Sequence, residues 1–484
     1  MGKYSVPDHI RAMRPEGTMV KLISNQYYVY PYLTYKDDNG KQKIKMGKLI
    51  GYIREGIGFV PNDNYSRDTE ITTRDFGEYA VVMENSKKTL NLLKDCFNLE
   101  EAVAIYVVSL IHVVQEFVHM KRINTHFEQS FLPLVFPTLN LGYDAIAALY
   151  DTLGRKQTNV LKFQERLVAD SSREIAIDGH VIGCCSTEND LAQKGYRFSE
   201  ISEPQINLLM AYDINTEKPL ISRIYAGNKP DKVSVKDFIG EVELKDMLFI
   251  VDRGFYSVDN LSLFSANGNA YIIPLSPNLK IHKSAVNNLT LTNRFKYRKG
   301  RKRCTVEYRD MEIEGNRVLV CRDMDKADKE ITNYRRHIDL NHKSYTEENL
   351  AKFEPYFGLI TLQTSIWDKS VQQIYELYKK RWKIETFYNV IKNKADFKGL
   401  HQFDYYKIQG LGFIILVSSL IYKEFELATQ VLKGKCLQDC ILEAKMVKAS
   451  LRHGKWKLDN CLKGQVDLFA KLNTSMDLNH FIIT

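Results

Sequence analysis

The chain has 484 residues, 44% hydrophobic and 26% charged, a globular composition with length for two to four domains. Its formal net charge of +9 (68 Lys and Arg against 59 Asp and Glu) is modest for the size, so bulk charge implies little and local clustering has to be read instead. The longest apolar run, Leu411 to Tyr422, falls short of the ~20 residues that cross a bilayer, so a membrane class is excluded and a buried helix is expected there.

Nothing in Met1-Gly2-Lys3-Tyr4-Ser5 resembles a secretory leader, so a cytoplasmic protein with free thiols is expected. Cys436 and Cys440 have no second Cys or His pair at zinc spacing.

Residues 1–86 read as a β-rich module. Val20 to Ile23 and Tyr27 to Tyr30 are strand-like, and Asp37-Asp38-Asn39-Gly40 is a hairpin turn signal. Lysines follow at 41, 43, 45 and 48, which suits either a DNA grip or a solvated edge. Residues 87–169 turn helical. Two helical stretches between Tyr143 and Leu167, around Gly154-Arg155-Lys156, fit a helix-turn-helix-like DNA reader or an ordinary helical hairpin.

From 170 to 275 the pattern is α/β. Strands are expected at Glu174 to Ile182, Ile206 to Asp213, Leu220 to Tyr225, Met247 to Asp252 and Tyr271 to Ile273. Helices are expected at Val233 to Leu244 and Ser257 to Ser265. Residues 276–364 break this pattern as a β-rich insertion. Its run Arg294-Phe295-Lys296-Tyr297-Arg298-Lys299-Gly300-Arg301-Lys302-Arg303 interleaves cations with aromatics, a composition suited to phosphates and unpaired bases. The α/β pattern resumes over 365–430, and 431–484 reads as a mixed helical tail.

Three carboxylates carry the chemistry. Asp178 sits mid-strand behind Ile175, Ala176 and Ile177, where an unpaired charge is costly and a cation or metal must compensate it. Asp252 ends a buried strand, the usual place for a functional group on a sheet. Glu385 lies in the segment Tyr378 to Lys392. At ~100° per residue, Tyr378, Arg381, Glu385 and Lys392 share an arc of about 60°, while Leu377, Ile384, Phe387 and Ile391 occupy the neighbouring arc. Two strand-borne aspartates and a helix-borne glutamate can hold two ions about 4 Å apart, and all-oxygen ligands select Mg²⁺ or Mn²⁺.

At these residues the chain resembles bacterial insertion-sequence transposases of the DDE class, in the group with a β-strand insertion and a Tyr-x2-Arg-x3-Glu-x6-Lys signature. Tyr378, Arg381, Glu385 and Lys392 match it at full spacing. Asp252-Arg253-Gly254-Phe255 matches the second-aspartate motif, and Asp178-Gly179 the first, with His180 where Thr or Ser is more usual. Gly227-Asn228-Lys229-Pro230-Asp231 matches a further element.

The resemblance implies a ribonuclease H-like mixed-sheet core interrupted by the insertion, with N-terminal β and helical DNA-binding regions. It implies two Mg²⁺ ions (Mn²⁺ may substitute) held by Asp178, Asp252 and Glu385. DNA contacts would come from Tyr378, Arg381, Lys392 and Arg253, and from the insertion's Arg294, Lys296, Arg298, Lys299, Arg301, Lys302 and Arg303. Implied partners are the terminal inverted repeats, target DNA and a second protomer, with no membrane. Phe295, Tyr297 and Tyr334 are candidates for gripping a flipped base. A transposase-derived DNA-binding protein, or a nuclease without strand transfer, is the alternative.

Overall fold

The computed structural model describes residues 6–36, 40–62, 72–184, 189–195, 204–242, 244–394, 404–452 and 455–482, by backbone alone at 36 and 389–394. The hairpin signal at Asp37–Asn39 therefore lies outside the described residues. Flanking it, β1 (Thr18–Ile23), β2 (Gln26–Lys36), β3 (Gln42–Met46), β4 (Gly51–Arg54) and β5 (Gly58–Pro61) form a small antiparallel sheet in the order β1-β2-β4-β5, with β3 paired to β2 alone. Val29, Ile50 and Ile53 close its core against Val6 and Ile10.

The next strand, β6 (Thr73–Asp75), leads into a layer of helices that includes Gly77–Asn85, Leu99–Val114, Tyr143–Arg155 and Gln157–Ala169. The two helices expected around Gly154-Arg155-Lys156 part at Lys156; Gly154 itself has another role. It lies in the last turn of its helix, where a Cβ would come within 1.8 Å of the Tyr406 carbonyl oxygen. Gly410, on the facing helix Tyr405–Thr429, would meet the Tyr150 carbonyl at 2.0 Å. The two glycines let these helices cross backbone to backbone. As expected, the apolar run from Leu411 lies in a helix buried along most of its length, and no described helix is long and apolar enough to cross a membrane.

The centre is a nine-stranded sheet among the described residues. Its first five strands are β7 (Glu174–Gly183), β8 (Gln205–Asp213), β9 (Lys218–Ala226), β10 (Leu248–Val251) and β11 (Ala270–Pro274). They lie in the order β9-β8-β7-β10-β11, with β7, β8 and β9 antiparallel and β10 parallel to both β7 and β11. Alternation along the strands fills two cores. Ile175, Ile177, Phe249 and Val251 face the helical layer, whereas Ala176, Met210 and Ile250 face the helices that follow the insertion. This is a mixed α/β sheet of the ribonuclease H-like kind.

The insertion continues the same sheet. Strands β12 (Asn293–Lys299), β13 (Lys302–Ile313), β14 (Asn316–Asp323) and β15 (Leu359–Thr364) extend it, and β15 pairs with both β14 and β11. Three helices, Lys280–Val286, Met324–Asp339 and Glu347–Phe353, add to the expected strands. The tail is not purely helical either. Strands β16 (Lys448–Arg452) and β17 (Lys455–Leu458) form a three-stranded sheet with β6. A three-residue strand and a short hairpin carry too little local pattern to be read before their partners are known.

Candidate active site

Strand register brings the two aspartates together. Val251 on β10 pairs with Ile177 on β7, so Asp252 and Asp178 are the next residues on neighbouring strands. Inside β7, Asp178 points to the same side as Ala176, the side covered by the helices Val371–Lys380 and Trp382–Lys394. These two helices correct the expectation of one continuous helix from Tyr378 to Lys392. The ladder breaks at Arg381, where the Arg381 amide donates to the Tyr378 carbonyl and the Ile384 amide to the Arg381 carbonyl, both in the tighter i to i−3 pattern. No Pro or Gly causes the break. The joint is anchored on its far side by the β8–β9 turn, where Lys383 reaches the Ile214 carbonyl (2.9 Å) and Glu217 (2.8 Å), and Lys380 reaches Asn215 (3.1 Å).

The Arg381 guanidinium lies among all three carboxylates. It pairs with Glu385, stands 3.8 Å from Asp178 and 4.0 Å from Asp252, and lies over the Tyr378 ring at 5.8 Å. Burial opposes the Arg381 charge, but Tyr378 and the three acids together raise its pKa above the ordinary value. Asp178 is mostly covered. Burial is the main cause that pushes its carboxyl up to about 7; Arg381 and the Gly179 amide, which donates to it at 3.0 Å, pull the other way. Asp252 and Glu385 are half-exposed.

Three further contacts surround Asp178, two of them from residues the sequence did not mark by charge. The Tyr388 hydroxyl donates to the Asp178 carbonyl at 2.9 Å. His180 stacks on the Tyr388 ring with centroids 5.3 Å apart. The Asp231 carboxylate lies where a Cβ on Gly179 would be, within 2.6 Å, so only glycine fits there without displacement. Tyr388 stands three residues after Glu385, the helical spacing that could have marked it.

A cleft of about 860 Å³ runs from Glu385 to the insertion; Asp178 and Asp252 do not line it. Tyr378, Arg381, Trp382 and Glu385 line it together with Lys296, Arg298 and Lys299 of β12. Arg294, Arg301 and Arg303 are exposed but lie outside its lining, and Lys302 pairs with Asp325 at 3.1 Å. Arg253 is exposed on the turn directly after Asp252. Lys392 lies on the Trp382–Lys394 helix, but its side chain is outside the described residues.

The aromatics of the basic run pack inward, although Tyr297 also borders the cleft that Lys296, Arg298 and Lys299 line. Period-two alternation turns Phe295 against Tyr308 and Tyr375, and Tyr297 donates to Asp323 at 2.9 Å. Tyr334 packs among Tyr345, Phe353 and Phe357. These three rings hold the insertion together. The exposed aromatic beside the acids is Trp382.

Comparison with known proteins bears on the same region. Residues 170–419 match the family model described as the transposase DDE domain, about half of the chain and the whole of the acidic centre. No curated protein matches the chain. Among solved structures, a piggyBac transposase synaptic complex with hairpin DNA aligns at 11% identity and a TM-score of 0.37, over 72% of this chain and 71% of that one, a likeness too weak to carry weight. On the domain match, the chain belongs to the transposase DDE domain family.

Proposed function

We propose that the protein binds the terminal inverted repeats of its insertion sequence, cleaves the ends and transfers the 3′-hydroxyl strands to target DNA, with Asp178, Asp252 and Glu385 as its acidic triad. The observation that supports this most directly is the gathering of three acids, 207 residues apart from first to last (385 − 178), around Arg381 within the matched domain.

The donor set is oxygen only, the chemistry of Mg²⁺ or Mn²⁺. Three acids share one cation, so the half-covered centre is short of positive charge, and in that respect it fits divalent ions. In the present arrangement, with the guanidinium among the acids, no group of three His, Cys, Asp or Glu among the described residues stands at metal-holding spacing. Bound ions would supply Lewis-acid activation of the attacking hydroxyl and of the leaving 3′ oxygen.

The chain's own residues do the rest. Arg381 presents a planar fork of donors suited to phosphate oxygens. Tyr378 and Arg253 flank the scissile position, Lys392 is assigned a phosphate contact from the signature alone, and Lys296, Arg298 and Lys299 carry the DNA backbone along the cleft. Arg294, Arg301, Lys302 and Arg303 extend the positive surface of the same hairpin. Two protomers would pair two ends.

The test uses the DNA that flanks the gene as the source of the repeats. Asp178→Asn, Asp252→Asn and Glu385→Gln should each lower Mg²⁺-dependent end cleavage about a thousandfold or more, with gel-shift binding of the repeat kept within about threefold. Full cleavage by any one of them would sink the triad. Cleavage by wild type without joint products from pre-cut ends would make it a nuclease, and binding without cleavage would make it a transposase-derived binding protein.

A further inference from the structure

The small N-terminal sheet contains an element that its own core does not use. Strand β2 pairs with β1 as far as Pro31 and with β4 as far as Val29. Beyond Pro31, apart from the Tyr32 amide donating to the Gly17 carbonyl (3.3 Å), its one strand neighbour among the described residues is β3, in the register Tyr32↔Met46 to Lys36↔Gln42. This stretch leaves the sheet as a two-stranded ribbon, and all five residues of β3 are exposed. None of its side chains joins the core of that sheet. A lone two-stranded ribbon is marginal in water, yet this one exposes Leu33 (74%), Ile44 (55%) and Tyr35 (50%).

Charge identifies the occupant. Residues 32–48 contain five lysines, at 36, 41, 43, 45 and 48, against two aspartates, at 37 and 38. Cross-strand register places Leu33, Tyr35, Lys43 and Lys45 on one face, and Tyr32, Thr34, Ile44 and Met46 on the other. Five residue pairs at ~3.3 Å each give a ribbon roughly 16 Å long, with strands about 4.8 Å apart. That fits a major groove about 12 Å wide. Cations on such a ribbon meet phosphates, and apolar side chains meet base edges such as the thymine methyl.

We propose that the β2–β3 ribbon is a DNA-reading arm that enters the major groove of the duplex on which the protein acts. The proposal deepens the function proposed above and rests on it for the identity of that duplex.

The experiment measures affinity for a labelled 30-base-pair duplex carrying the terminal repeat, as a function of salt. Replacing Lys43, Lys45 and Lys48 by alanine should lower the slope of log affinity against log salt by about 2 to 3, at about 0.9 per lost phosphate contact. Leu33→Ser with Tyr35→Ser should cut the preference for repeat over scrambled duplex about tenfold. Lysine acetylation of the unaltered protein, read by mass spectrometry, should show Lys43 and Lys45 protected by the duplex.

An unchanged salt slope with unprotected lysines overturns the arm, even where wild type cleaves the ends and the proposed function stands. Protected lysines with no cleavage would keep the arm and remove the transposase reading. A change of oligomeric state in the ribbon variants, with DNA binding intact, would assign the ribbon to a second copy of the chain and overturn the proposal.

Discussion

At the residue scale, the centre is an arrangement of charge held in place by neutral neighbours. Asp178 is held at its backbone as well as through its carboxyl. Tyr388 donates to its carbonyl, and His180 backs the Tyr388 ring. On the proposed function, Tyr388→Phe loses one hydrogen bond, which should cost about 1 kcal/mol of stability in a chemical melt. End cleavage should fall further than stability, about tenfold, because a small shift of a positioned carboxylate costs more in rate than in folding. Equal affinity for repeat DNA would show that the loss lies in the chemical step. A variant that cleaves like wild type would reduce Tyr388 to a packing residue.

At the element scale, two close approaches decide the architecture. The first is the joint at Arg381, where two helices meet without a proline. The second is the crossing of Tyr143–Arg155 with Tyr405–Thr429, where Gly154 and Gly410 each lie against the other helix's backbone. A methyl at either position meets a main-chain carbonyl at about 2 Å, and neither helix can yield without moving a core. Gly154→Ala and Gly410→Ala should therefore each destabilise the fold by about 3 kcal/mol, seen as a lower midpoint in urea. The exposed Gly56, with open space around it, is unsuitable as a control because its φ of +82° penalises any side chain; Gly240, with nothing within 4 Å and no positive φ, is the fair comparison and should tolerate alanine.

At the scale of the whole molecule, distant parts of the chain share one core. Phe76 packs against Phe131, Phe469 and Phe481, and β6 pairs with β16 across more than 370 residues. Within this region Glu78 is fully buried, and neither carboxylate oxygen has a partner among the described residues. Burial pushes its carboxyl up to about 7 from 4.5, and the residue's own backbone amide nearby, then Lys448, offset this only in part. Below about pH 4.5 the carboxyl is protonated folded or unfolded, and it contributes no pH dependence. Between about 4.5 and 7 the unfolded chain releases the proton while the folded chain keeps it, so stability falls as pH rises, and above 7 the loss is complete. The span corresponds to roughly 3 kcal/mol. Glu78→Gln should make that slope shallower, leaving the part owed to Asp178, and leave the variant more stable than wild type at pH 8, as measured by urea melts from pH 5 to 8. A slope unchanged by the substitution would place the titration elsewhere.

The sequence by itself determined the order and kind of the central strands, because alternation and apolar runs are local properties of β7 to β11. It also singled out Asp178, Asp252 and Glu385, since an acid inside or at the end of an apolar strand is visible without knowing its neighbours. Only the tertiary structure decided what those acids meet. The Lys383 contact with the β8–β9 turn, the Tyr388 contact, the Asp231 approach to Gly179 and the β6–β16 pairing join residues dozens to hundreds apart, and no window of sequence contains both partners. The basic run shows the same division: its cations were legible from composition, but strand alternation and the insertion's own core turned Phe295 and Tyr297 inward and left Trp382 as the exposed ring beside the acids.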